Sequence, residues 1–153
     1  MADKKVSFAV RSIKTDEFAT ITNSYKEGED VNIEAGYGFG INSDENTVMV
    51  KFSAMFKCQE RPFIILKLHC DFDVDPKSFD NFRNIKTNKL VIPKGFLTHL
   101  TVLTVGTARG VLHAKLDNTE FDNFILPTLN VSEILKEDLE FVTNEVDENP
   151  KTD

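Results

Sequence analysis

The chain has 153 residues, 41% of them hydrophobic and 28% charged, with a formal net charge of −7. That composition fits one domain with its own core and excludes an intrinsically disordered chain. The negative charge excludes nucleic acid or an anionic membrane as the main partner, because both demand a basic face.

The opening "MADKKVSFAV" lacks the continuous apolar core and small-residue cleavage site of a secretion signal. No run approaches the ~20 apolar residues of a membrane span, so a cytoplasmic protein without membrane insertion is expected. "VSFAV" puts Val6, Phe8 and Val10 on one face and predicts a first strand. In "VNIEAGYGFGI", Val31, Ile33, Ala35, Tyr37, Phe39 and Ile41 alternate with Asn32, Glu34, Gly36, Gly38 and Gly40. "TVMVKFSAMFKC" repeats this with Val48, Val50, Phe52, Ala54, Phe56 and Cys58. "FIILKLHCDFDV" does so with Ile64, Leu66, Leu68, Cys70, Phe72 and Val74, while Lys67, His69, Asp71 and Asp73 take the other face. Such sustained alternation means long strands with one covered face.

Residues directly opposite in an antiparallel pair share a face. The third and fourth strands both bury even positions, so an odd loop is expected between them, and Glu60 to Pro62 fits. Cys58 would then face Ile64, and Cys70 would face Phe52. The two thiols would lie roughly 20 Å apart, too far for a disulfide.

"PKSFDNFRNIKTNKLVI" has no strict period and predicts a long connection with a helical turn. A long helix is expected from Pro93 to near Asp117, with Phe96, Leu97, Leu100, Leu103, Val111 and Leu112 as its apolar stripe. A loop, "DNTEFDNFILPTLN", follows. Ser132 is placed to cap a short final helix burying Ile134, Leu135, Leu139 and Val142. These elements predict an α+β fold, a four-stranded antiparallel sheet with both helices packed on one face. A single domain would span 1–142, and the acidic stretch 143–153 would be a disordered tail.

Chemistry-bearing motifs are sparse. The glycines of "GYGFG" fall on alternate positions inside a strand, so they make a bare outer face and not a phosphate loop. The three histidines do not cluster, and no Cys or His pair has zinc-ligand spacing. Asp71, Asp73 and Asp75 read as solvated carboxylates or as a docking patch. Hydrophobic residues are in surplus in the irregular segments: Phe79, Phe82, Ile85, Phe121, Phe124, Ile125 and Leu129. They either complete the core or line apolar grooves that bind something. In "GTARGVLHAK", Gly106, Gly110 and Ala114 recur every four residues. Each glycine costs roughly 1 kcal/mol of helix propensity, a loss that close packing against another backbone would offset.

From Val6 to Val142 the chain resembles the SecB family of export chaperones. The resemblance is carried by "FAVRSIKTDEF", by "VLTVGTARGVLHAKL" with its Ala108-Arg109 pair, and by "FILPTLNVSEIL" with Pro127, Leu129 and Asn130. It departs at Val105-Gly106-Thr107 and Leu126-Pro127, where the family carries Pro-aromatic and Phe-Pro. The resemblance implies a homotetramer, a dimer of dimers with the long helices in its interface, which would hold Gly106, Gly110 and Ala114. It implies unfolded polypeptide clients held in hydrophobic grooves, no ATP or other cofactor, and delivery of preproteins to the SecA motor. Asp16 and Asp71 match two of the family's acidic SecA-docking positions, and a third is lost around Ala19 or Thr20. A dedicated partner such as an antitoxin is the alternative role. A thioesterase on a hot-dog-like fold fits less well, because the long helix follows all four strands and carries no evident acid or base. The chain is therefore expected not to be an enzyme.

Overall fold

The strict alternation of three consecutive segments builds the central sheet. In the computed structural model, which describes residues 5–142, β2 (Val31–Asn42), β3 (Thr47–Cys58) and β4 (Arg61–Val74) are antiparallel neighbours. The first strand, β1 (Phe8–Thr20), pairs with β4, so the order is β1-β4-β3-β2. The acidic stretch from Thr143 lies outside the described residues. Even positions of β3 and β4 form the buried face: Val50, Phe52, Phe56, Leu66, Leu68 and Phe72 are at most 1% exposed.

β1 runs well beyond the predicted Val6–Val10. Two bulges, between Val10 and Ser12 and between Thr15 and Glu17, each switch the alternation. The period of two is thereby scrambled in the sequence.

The β3–β4 turn has two residues instead of the expected three. Gln59 and Glu60 have φ of 46° and 69°, the hand that suits the twist of the flanking strands. A two-residue turn would reverse the parity, and a bulge restores it. Phe63 is the extra residue, between Pro62 opposite Lys57 and Ile64 opposite Phe56. Cys58 therefore lies across from Arg61, not Ile64, and Cys70 across from Val50, not Phe52. The thiols are farther apart than expected, and both are free and buried.

After β4 the chain forms α1 (Pro76–Asn81), started by the Asp75 carboxylate accepting the Ser78 N–H. The hairpin of β5 (Arg83–Asn84) and β6 (Lys89–Ile92) follows. Then comes α2 (Lys94–Leu116), whose buried face is Leu97, Leu100, Thr101, Thr104, Val105, Ala108, Leu112 and Leu116. Leu103, expected in that stripe, points outward, and Thr101 and Thr104 take the inner positions. Their hydroxyls donate to the Leu97 and Leu100 carbonyls at 2.7 and 2.8 Å, which lets two polar residues be buried.

The short final helix does not form. Val131–Glu133 make one 3-10 turn, and the chain then extends as β7 (Leu139–Val142) beside β6. Leu139 and Phe141 pack on the core while Glu140 and Val142 are exposed, a period of two and not of 3.6. Asp138, just before β7, accepts the Lys94 N–H at 2.8 Å and so caps α2 from the far end of the chain. α1, α2 and the β5-β6-β7 sheet join the even-numbered face of β3 and β4 in one core. The architecture is α+β, as the sequence predicts.

Candidate functional site

The surplus hydrophobic residues separate into two aromatic clusters at opposite ends of β4. At the β3–β4 turn, Phe121 and Phe124 meet Tyr25, Phe56 and Phe63. Phe63 is the centre, with ring centroids 4.9 Å from Tyr25, 5.1 Å from Phe124 and 5.3 Å from Phe121. At the other end, Phe79 and Phe82 join Phe96, Phe8 and Phe72. A cleft of about 300 Å³ between Val6, Phe82, Pro93 and Phe96 opens beside this second cluster. Phe79, Phe82 and Phe121 are buried, Phe124 and Leu129 half-buried, and Ile85 and Ile125 are 92% and 65% exposed. The seven residues therefore do not line one groove. Three complete the core, and the rest grade outward from it.

Two loops cover the first cluster, and side chains tie them down. Arg109 of α2 donates from Nε to the Leu126 carbonyl and from Nη2 to the Pro127 carbonyl, both at 2.8 Å. The fragments around Ala108-Arg109 and Leu126-Pro127, separate in sequence, are thus one structural unit. Thr22 donates to Glu120 at 2.6 Å and joins this loop to the one after β1. That second loop is latched by Arg61, whose Nη2 lies 2.6 Å from Glu29 Oε2 and whose Nε donates to the Ser24 carbonyl.

The Cys58 thiol, 3.3 Å away, and the Arg61 guanidinium hold the Glu29 carboxyl below its usual range. A carboxyl held low contributes stability that is full above its ordinary value and is lost as pH falls through the lowered one. Amide exchange between Tyr25 and Asp30, corrected for its intrinsic rate, should rise as pH drops below the carboxylate range. Glu29→Gln should remove this dependence, and identical profiles for the two proteins would discard the latch.

Beside this cluster the sheet is open. α2 packs over β3 and β4, whereas on the inner face of β2 Val31 is exposed and Ile33, Ala35, Tyr37 and Phe39 are only half-buried. Ile33 lies opposite Phe56, which touches Phe124 at a centroid distance of 5.9 Å, so the open strip runs into the aromatic cluster. The Tyr37 hydroxyl is buried without a hydrogen-bond partner, and burial pushes its pKa up. Tyr25 and the strip on β2 were not legible as site residues, because nothing in the alternation of β2 says that it is an edge strand.

On the outer face, Asp16 and Asp71 converge on one side chain. His69 Nδ1 lies 2.8 Å from Asp16 Oδ2, His69 Nε2 is 3.8 Å from Asp71 Oδ2, and the Ser12 hydroxyl donates to Asp71 at 2.7 Å. The bulge between Thr15 and Glu17 makes Asp16 the inserted residue and turns it toward His69. The glycines leave a hollow of about 250 Å³ nearby, floored by Gly36, Gly38 and Ser53 and banked by Lys51 and Lys67.

A third surface lies along α2 and β1. Phe8 contacts Phe96 and His99 at one end, and Lys115 sits 5.1 Å over the Phe18 ring at the other, so the two elements run side by side. Along this seam Val10, Ile13, Val102 and Leu103 are exposed. Gly106, Gly110 and Ala114 are exposed too, and a Cβ built on either glycine meets nothing within 4 Å.

Among the described residues no group of three or more His, Cys, Asp and Glu side chains is arranged to hold a metal ion. No helix there is long and apolar enough to cross a membrane. Compared with known proteins, the chain matches no family model, no curated protein and no solved structure.

Proposed function

We propose that the protein is a holdase chaperone that works without ATP and keeps unfolded polypeptide segments on apolar surface. The observation that carries this reading is the open strip Ile33–Ala35–Tyr37 leading into Tyr25 and Phe124, with Ile125, the residue after Phe124, exposed. Burying apolar surface there yields roughly 25 cal/mol per Å², offset in part by the ordering of the client. Many such contacts, none of them directional, give tolerance and not sequence specificity.

The exposed seam of Val10, Ile13, Val102 and Leu103, with the ridge at Gly106, Gly110 and Ala114, is the proposed self-association face of a homotetramer. The Asp16–His69–Asp71 cluster is the proposed docking point for a basic partner such as SecA. This reading places the protein in the cytoplasm.

An unfolded protein diluted from denaturant should stay in solution when one equivalent of tetramer is present and nucleotide is absent. Unaltered light scattering at that ratio would refute the holdase. Protection confined to a single partner would favour the dedicated, antitoxin-type role.

A further inference from the structure

We infer that the client is held by its backbone as well as its side chains, as an added strand along the free edge of β2. This rests on the client-holding reading above.

The sheet has two edges, and they differ. β1 is broken by two bulges and carries Arg11, Lys14, Asp16 and Glu17, the devices that stop one edge from templating another. β2 has none of these bulges. Its twelve residues pair with β3 in unbroken register from Val31 to Asn42, and they include no proline and one charged side chain, Glu34. Every second residue of such an edge directs its N–H and C=O away from the sheet. Among the described residues no backbone group reaches them.

The neighbouring surface fits the same occupant. A strand laid beside β2 would continue the half-buried strip and bury alternate side chains against it. Backbone pairing is blind to sequence, which suits a protein that must hold many clients. The ends of β2 set one preference. Glu27 and Asp30 flank one end and Asp44 the other, none of them in an ion pair among the described residues, so a segment with basic flanks is favoured. A second copy of this chain fits less well, because the exposed α2–β1 seam is a separate surface for self-association.

The probe is the peptide Ac-Lys-Val-Thr-Val-Thr-Val-Lys-NH2, bound to the full chain and followed by isothermal titration calorimetry. Two N-methylated forms, one on the valines and one on the threonines, each remove the donors along a single edge of the peptide. Strand addition requires one form to lose at least roughly tenfold in affinity while the other keeps it. Peptide binding should also slow amide exchange at alternate residues of β2 and leave β1 unchanged.

Equal affinity for all three peptides would overturn the inference, and so would protection at β1 or no binding of the parent. If aggregation were still suppressed in that event, the holdase would survive with side-chain contacts alone. Peptide binding lost as the chain self-associates would assign the edge to a second copy and also overturn it.

Discussion

Replacing Phe63 by alanine should destabilise the protein by about 3–5 kcal/mol, the range for a large aromatic removed from a packed core. The ring is fully buried and touches Tyr25, Phe56, Phe121 and Phe124. These residues belong to β3 and to both covering loops, so one truncation loosens three segments together. For a chain of this size the melting temperature should fall by roughly 10 °C or more. Phe63→Leu keeps most of the volume and should lose under about 1.5 kcal/mol. Ile85→Ala, at a site 92% exposed, should change stability by less than about 0.5 kcal/mol. Thermal unfolding of the three variants measures the contrast. A Phe63→Ala loss as small as that at Ile85 would mean that the ring does not organise the loops.

Gly110→Leu should reduce the mass of the proposed tetramer, read by light scattering, and leave the fold intact. The variant separates two explanations that predict opposite signs. Within one subunit a side chain at Gly110 enters open space, and leaving glycine gains nearly 1 kcal/mol of helix propensity. The isolated subunit should therefore be no less stable. At a close helix contact between subunits the same side chain is a wedge, and overpacking of that kind costs about 1–3 kcal/mol per site. A twofold-related interface applies the penalty twice. A smaller particle with unchanged far-UV circular dichroism is the expected result. An unchanged mass would remove the ridge from any interface and leave the glycines unexplained.

Legibility in the sequence followed the regularity of each segment. β2, β3 and β4 were readable because an apolar residue recurs at every second position: 31 to 41, 48 to 58 with Cys58, and 64 to 74. β1 was not, because an inserted residue at each bulge reverses the faces, and a period-two reading stops at the first of them. Thr101 and Thr104 hid part of the buried face of α2, since a threonine reads as polar until its hydroxyl has found a carbonyl one turn back. The turn-and-strand ending reads as a helix in the sequence because Ile134, Leu135, Leu139 and Val142 also fit a spacing of three to four.

For the candidate site, the aromatic residues were visible, but their partition between core and surface was not. That depends on which strand is at an edge, a property of topology and not of local pattern. The Arg109 clamp was equally hidden, because its acceptors are main-chain carbonyls that every residue possesses.

The strand order β1-β4-β3-β2 also fixes a timetable during synthesis. The hairpins β2–β3 and β3–β4 join neighbours in sequence and close as soon as they leave the ribosome. β1, made first, has no partner until β4 has emerged, so it waits through the synthesis of three strands. The even-numbered face, with Leu66, Leu68 and Phe72, is complete at Val74, yet α2 begins only at Lys94 and its cap at Asp138 comes later still. For that interval the nascent chain displays a bare apolar sheet and an unpaired first strand. A protein proposed to shelter unfinished chains is itself, midway through its own translation, one of the chains that need shelter.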